Sequence, residues 1–143
     1  MNVLVKNLIN LFVKIPQKLF LIDGIGAGVT AFMLYFVLRH FNDFFGMPSV
    51  VLIYLSIIGL ALCVFSITCF LVLRKQWTPF LKAIGMGNLG YCLLTTALLM
   101  IHFDALTWFG LAYFVGELGI IATLIILELH VANELKTKKP GPI

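Results

Sequence analysis

Four long apolar runs, separated by short polar or basic breaks, set the pattern of the chain: about 19–38, 50–73, 80–101 and 106–129. Each is long enough to cross a bilayer as an α-helix, which takes about 20 predominantly apolar residues. Between Met1 and Ile15 the pattern differs. At helical spacing Lys6, Asn7, Asn10, Lys14, Gln17 and Lys18 gather on one face, with Val3, Leu4, Leu8, Leu11, Phe12 and Ile15 on the other. That division predicts an amphipathic helix lying in the membrane interface, its lysines toward head groups. Pro16 disfavours helix at Ile15 and marks a bend before the first span.

The breaks are short. Arg39 to Ser49 contains Phe41, Phe44 and Phe45 and closes on Gly46-Met47-Pro48. Arg74 to Trp77 forms a basic turn, after which Thr78-Pro79 reads as an N-cap followed by proline at the first helical position. His102-Phe103-Asp104 is so short that the third and fourth spans must be antiparallel neighbours. The predicted architecture is all-α: an antiparallel four-helix transmembrane bundle with an N-terminal amphipathic interfacial helix, forming a single integral membrane domain over residues 1–143. The last segment, 133–143, holds Lys136, Lys138, Lys139 and two prolines, and is expected to be a poorly ordered cytoplasmic tail.

Composition strengthens the membrane assignment. The 143 residues are 62% hydrophobic and 11% charged, against roughly 45–50% and 25% in soluble domains. The net charge of +4 comes from Lys and Arg at run ends, a distribution that fits anionic lipid head groups on the cytoplasmic side and makes nucleic acid a poor candidate. Lys6, Lys14, Lys18, Arg74, Lys75, Lys82, Lys136, Lys138 and Lys139 fall on one side of the bundle, and only Arg39 on the other. The positive-inside rule then predicts a multi-pass protein of the inner (cytoplasmic) membrane with both termini in the cytoplasm. Cys63, Cys69 and Cys92 all lie in apolar runs with no C-x-x-C pair, and read as small buried hydrophobes.

Polar residues inside the spans carry the candidate chemistry. Glu117 sits near the midpoint of the fourth run, where an ionised side chain costs at least about 3 kcal/mol and needs a partner, a proton or water. Asn88 and Tyr91 on the third span, Tyr113 on the fourth and Ser66 on the second could meet it, and Asp23 lies about one turn inside the first. Asp23 has two readings, a carboxylate favoured by the helix N-terminus or a member of the buried cluster. The cluster likewise reads as a proton or cation site or the polar end of a pocket for a small amphiphile, or as packing glue with Glu117 bonded to Asn88. Small residues at helical spacing suggest where helices approach: Gly24, Gly28 and Ala31 on the first span, Ala83, Gly87, Gly90 and Ala97 on the third, and Ala112, Gly116, Gly119 and Thr123 on the fourth. The last two stripes are expected to bring spans three and four together.

A second constellation, His40 and Asp43 with His102 and Asp104, holds metal-ligand residue types on the opposite loops, but without tight spacing such as H-E-x-x-H. No phosphate loop, nucleophile elbow or glycosidase-type carboxylate pair is present, so no catalytic residue and no cofactor is assigned and an enzyme is the least favoured class. The stretches Leu19-Phe20-Leu21-Ile22-Asp23-Gly24 and Phe45-Gly46-Met47-Pro48 resemble small uncharacterised four-span bacterial membrane proteins, a resemblance that covers most of the chain and implies no activity. Small multidrug transporters also have four spans, but they are shorter and carry their carboxylate in the first, whereas here the central one is in the fourth. The expected function is binding or transport of a small ion, proton or amphiphile around Glu117. The competing expectation is an accessory subunit that docks a larger membrane protein, or another copy of the chain, through its glycine stripes. A lipid-facing glycine stripe would favour the second, a polar cavity reaching Glu117 the first.

Overall fold

The computed structural model describes residues 2–138, which form helices and no strands. Helix α1 is Val3–Lys14. Helix α2, Pro16–Phe32, continues through a π-helical stretch, Met33–Leu38, in which the Arg39 N–H reaches back five residues to the Leu34 carbonyl. A single turn, α3 (Asn42–Phe45), leads to α4 (Ser49–Val72), α5 (Trp77–Ile101) and α6 (Trp108–Lys138). The α2–π segment, α4, α5 and α6 are the four helices among the described residues long and apolar enough to cross a membrane. The chain is thus a multi-pass membrane protein, an antiparallel bundle connected by short turns.

Packing divides the bundle into two hairpins. Helix α2 packs extensively on α4, and α5 on α6. Helices α4 and α5 join the hairpins, while α2 and α6 scarcely touch. The first-span glycines lie in the α2–α4 contact. A Cβ on Gly24 would meet Ile67, one on Gly28 would meet the Cys63 sulfur, and Ala31 lies against Gly59. Removing side chains there lets the backbones close up, the usual basis of association between membrane helices.

The stripes expected to join α5 to α6 do something else. Ala83, Gly90, Ala97, Ala112, Gly116, Gly119 and Thr123 are exposed, and a Cβ on Gly90, Gly116 or Gly119 would meet no atom within 4 Å. Gly87 faces Leu62 of α4. The α5–α6 contact runs through other positions instead: Gly85 of α5 faces Leu129 and Glu128 of α6, and Tyr91 and Leu99 of α5 share a core cluster with Phe114 of α6. The two hairpin helices are rotated so that their polar faces, Asn88-Tyr91-Thr95 and Glu117-Glu128, turn inward. Burying the carboxyls outweighs the closer approach that the small stripes would permit.

Two further boundaries differ from the sequence pattern. Helix α5 begins at Trp77, because Gln76 takes a left-handed conformation (φ 60°) that turns the chain into the helix earlier. Pro79 is then in the first turn, where its missing N–H leaves no bond unmade. Helix α6 runs on to Lys138, so residues 133–138 are ordered helix rather than loose tail; Lys139, Pro140 and Pro142 lie outside the described residues. The extension is held by burial: Val131 and Ala132 pack with Ile9 and Phe12 of α1, against Leu19, Phe20 and Leu81. Helix α1 therefore straps the end of the bundle. Its apolar arc serves two surfaces, with Ile9 and Phe12 toward the protein and Val3, Leu4, Leu8 and Leu11 exposed beside the lysines.

At the opposite end the first and third connections lock together. The Thr107 hydroxyl donates to the Phe44 carbonyl (2.6 Å), its N–H donates to the Phe45 carbonyl (3.2 Å), and Phe44 stacks on Phe109 (4.6 Å). Gly46 (φ 78°) is glycine for two reasons: the left-handed backbone, and the Ala105 carbonyl standing where a Cβ would go.

Candidate functional site

Acids from two elements and neutral donors from two others meet inside the bundle. Asp23 of α2 accepts hydrogen bonds from the Ser66 hydroxyl of α4 and from the Asn88 amide of α5 (2.6 Å). The same amide donates more weakly to Glu128 of α6 (3.4 Å). Asp23 and Glu128 thus share one amide donor. All four residues are buried, Ser66 and Glu128 completely. One layer away along the bundle the Tyr91 hydroxyl donates to Glu117 (2.8 Å), which is 7% exposed. Of the two readings of Asp23, the geometry favours the cluster: the carboxyl is 2% exposed and bonded to side chains of α4 and α5.

The expected Glu117–Asn88 bond is absent. Asn88 lies nearer the α1 end of the bundle, at the level of Glu128, and its amide is occupied by Asp23 and Glu128. The longer Tyr91 side chain, one turn further along α5, reaches Glu117 instead. Tyr113 is half-buried, edge-on to Phe114 and Phe45, on the wall of the same space. Glu128 was the residue that sequence reasoning passed over, because it sits at the end of the fourth apolar run. A signal was present: it lies three helical turns beyond Glu117 and hence on the same face of α6.

A cavity of about 620 Å³ opens beside these groups. Asp23, Asn88, Tyr91, Tyr113 and Glu117 supply most of its polar wall; the rest is largely apolar, including Met33 at the start of the π-helical stretch. Val29 of α2 and Ala112, Gly116 and Ile120 of α6 line it and are also exposed on the outer surface. The cavity therefore reaches the surface along the seam where α2 and α6 scarcely touch.

Three polar atoms in this region are buried without a partner: Glu117 Oε2, Glu128 Oε1 and Thr95 Oγ1. Buried polar atoms are nearly always paired, because each unmade bond costs about 1–3 kcal/mol. The side chains that do bond the three carboxyls, Ser66, Asn88 and Tyr91, are neutral. Acids without a basic partner in a dry interior balance their charge by holding a proton or a cation. On the loops, by contrast, His40, Asp43, His102 and Asp104 form no such cluster. His40 packs edge-on against Phe41, and among the described residues no group of three His, Cys, Asp or Glu could hold a metal ion. Comparison with protein-family models, curated proteins and solved structures finds no match to this chain.

Proposed function

We propose that the protein binds, and in binding moves, a small amphiphile within the membrane, with the head group at Glu117 and the apolar body along the α2–α6 seam. One observation carries this reading: a cavity of ligand size that combines an apolar wall with a buried carboxyl whose Oε2 has no partner. Pockets for small molecules typically measure 300–1,000 Å³, mostly apolar with a few convergent polar groups. The lysine and arginine asymmetry supports an inner-membrane protein with α1, the Arg74–Trp77 turn and the end of α6 in the cytoplasm. In that orientation Asp23 and Glu128 lie on the cytoplasmic side of Glu117, and anionic head groups on that face attract the α1 lysines.

Gly116 offers the test. A Cβ added there meets no atom within 4 Å and Gly116 lines the cavity rim, so Gly116→Trp is chosen to narrow the opening. A photoactivatable alkyl alcohol added to the protein in lipid nanodiscs should label Met33 and Leu124 in the wild type and lose that labelling in Gly116→Trp. Equal labelling of both proteins refutes the reading.

The exposed stripes of Ala83, Gly90 and Ala97 on α5 and of Gly119 and Thr123 on α6 support a second reading, an accessory subunit docking another membrane helix or a second copy. It leaves the cavity and its unpaired carboxyl oxygen unexplained, and stands behind the first for that reason.

A further inference from the structure

We infer that the ligand of this cavity is a lipophilic monocation, an alkylammonium in chemical class, entering sideways from the bilayer between α2 and α6. The inference rests on the amphiphile-binding reading above and specifies the head group. Asp23 and Glu117 both face the cavity, and its wall includes no lysine, arginine or histidine. Behind Asp23 stands Glu128, which shares the Asn88 amide with it and is fully buried, adding a third acid without adding a base. The neutral groups bonding them, Ser66, Asn88 and Tyr91, already direct their hydrogen bonds to these acids.

An anionic head group would meet two acids and no basic side chain here. A neutral head could satisfy Glu117 Oε2 with one hydrogen bond but would leave protons alone to balance the charge of the acids. A single cationic centre placed against Glu117 Oε2 answers both the unpaired oxygen and the charge of that one carboxylate, and in such surroundings a charge pair is far stronger than in water. The apolar wall then takes the chain of the ligand. The exposed rim of Val29 and Ile120 gives that chain a path from lipid that keeps it out of water.

Three octyl probes separate charge from hydrogen bonding and from simple hydrophobicity, each competing with the alkyl-alcohol photolabel in neutral-lipid nanodiscs. Octylammonium carries a charge and donors, octyltrimethylammonium a charge without donors, and 1-octanol a donor without charge. At equal concentration in the membrane, both cations should displace the label on the order of thirtyfold more effectively than 1-octanol, the size expected for a desolvated charge pair. Glu117→Gln should erase most of that preference while 1-octanol still competes. Asp23→Asn, altering the other carboxyl that faces the cavity, gives the same test independently should Glu117→Gln fail to assemble. Equal potency of 1-octanol and the cations, or octyltrimethylammonium no better than 1-octanol, overturns the cation assignment and leaves amphiphile binding standing. A cation preference unchanged in both variants also overturns it. A label that none of the probes displaces removes the amphiphile reading as well.

Discussion

Asn88→Leu is the most informative single change, because one amide supports two buried acids on two other helices. In the wild type Asn88 makes a short bond to Asp23 (2.6 Å) and a long one to Glu128 (3.4 Å). The short bond is worth about 1 kcal/mol, within the range measured for side-chain bonds between membrane helices. Leucine also leaves Asp23 with Ser66 as its remaining donor and takes the amide from Glu128, whose Oε1 is already without a partner. Leaving a buried acceptor unmade adds about 1–3 kcal/mol. The expected loss is therefore about 2–4 kcal/mol, measured by steric trapping or by unfolding in mixed micelles. The decisive comparison is the same substitution in a protein carrying Asp23→Leu and Glu128→Leu. With the acids gone, Asn88→Leu removes an amide whose two acceptors are already absent and should cost less than about 1 kcal/mol, since removing both partners of a bond is often near neutral. A loss of the same size in both backgrounds would refute the claim that Asn88 acts by supporting the two carboxyls.

Orientation is open to direct measurement: in a protein whose three native cysteines are replaced, an impermeant thiol reagent applied to intact cells should modify Asn42→Cys and spare Lys138→Cys, and the reverse pattern would invert the topology. The strap formed by α1 should loosen in Phe12→Ala, since that ring is 8% exposed and packs in the core shared with Val131 and Ala132. A spin label at Leu8 should then gain mobility relative to the same label with Phe12 intact, and unchanged spectra would mean that α1 is held by the lipid alone.

The four spans were legible from run length, the break at Ile15 from Pro16, and the inward position of Glu117 from its depth. These are properties of one segment at a time. The partner of Glu117 was not legible, because it depends on how far α5 and α6 are rotated about their own axes and on their relative height. A polar residue on a stripe says which face turns inward, but not which neighbour stands at its level. Asn88 and Tyr91 are one turn apart on the same face, and the side-chain length of tyrosine decided between them. The glycine stripes misled for a related reason. Gly116 and Gly119 permit close approach without saying to what, and the buried acids on the other side of α6 took the inward position. The helical run past Glu128 was masked by its lysines and became ordered only through the contact of Val131 and Ala132 with α1.

The hydrogen bond between Asp23 and Asn88 joins residues 65 positions apart, and this distance along the chain has a consequence for biogenesis. At a synthesis rate of about 5–20 residues per second, Asp23 leaves the ribosome roughly 3–13 s before the residue that will bond it. The first span must therefore enter the bilayer carrying an unattended acid, and at a mean hydropathy of 1.8 it has less to hold it there than the second span, at 2.8. The second span also brings Ser66, the first partner Asp23 can find. The α2–α4 hairpin, closed on its glycines, is therefore the earliest pairing in synthesis order that gives Asp23 a partner.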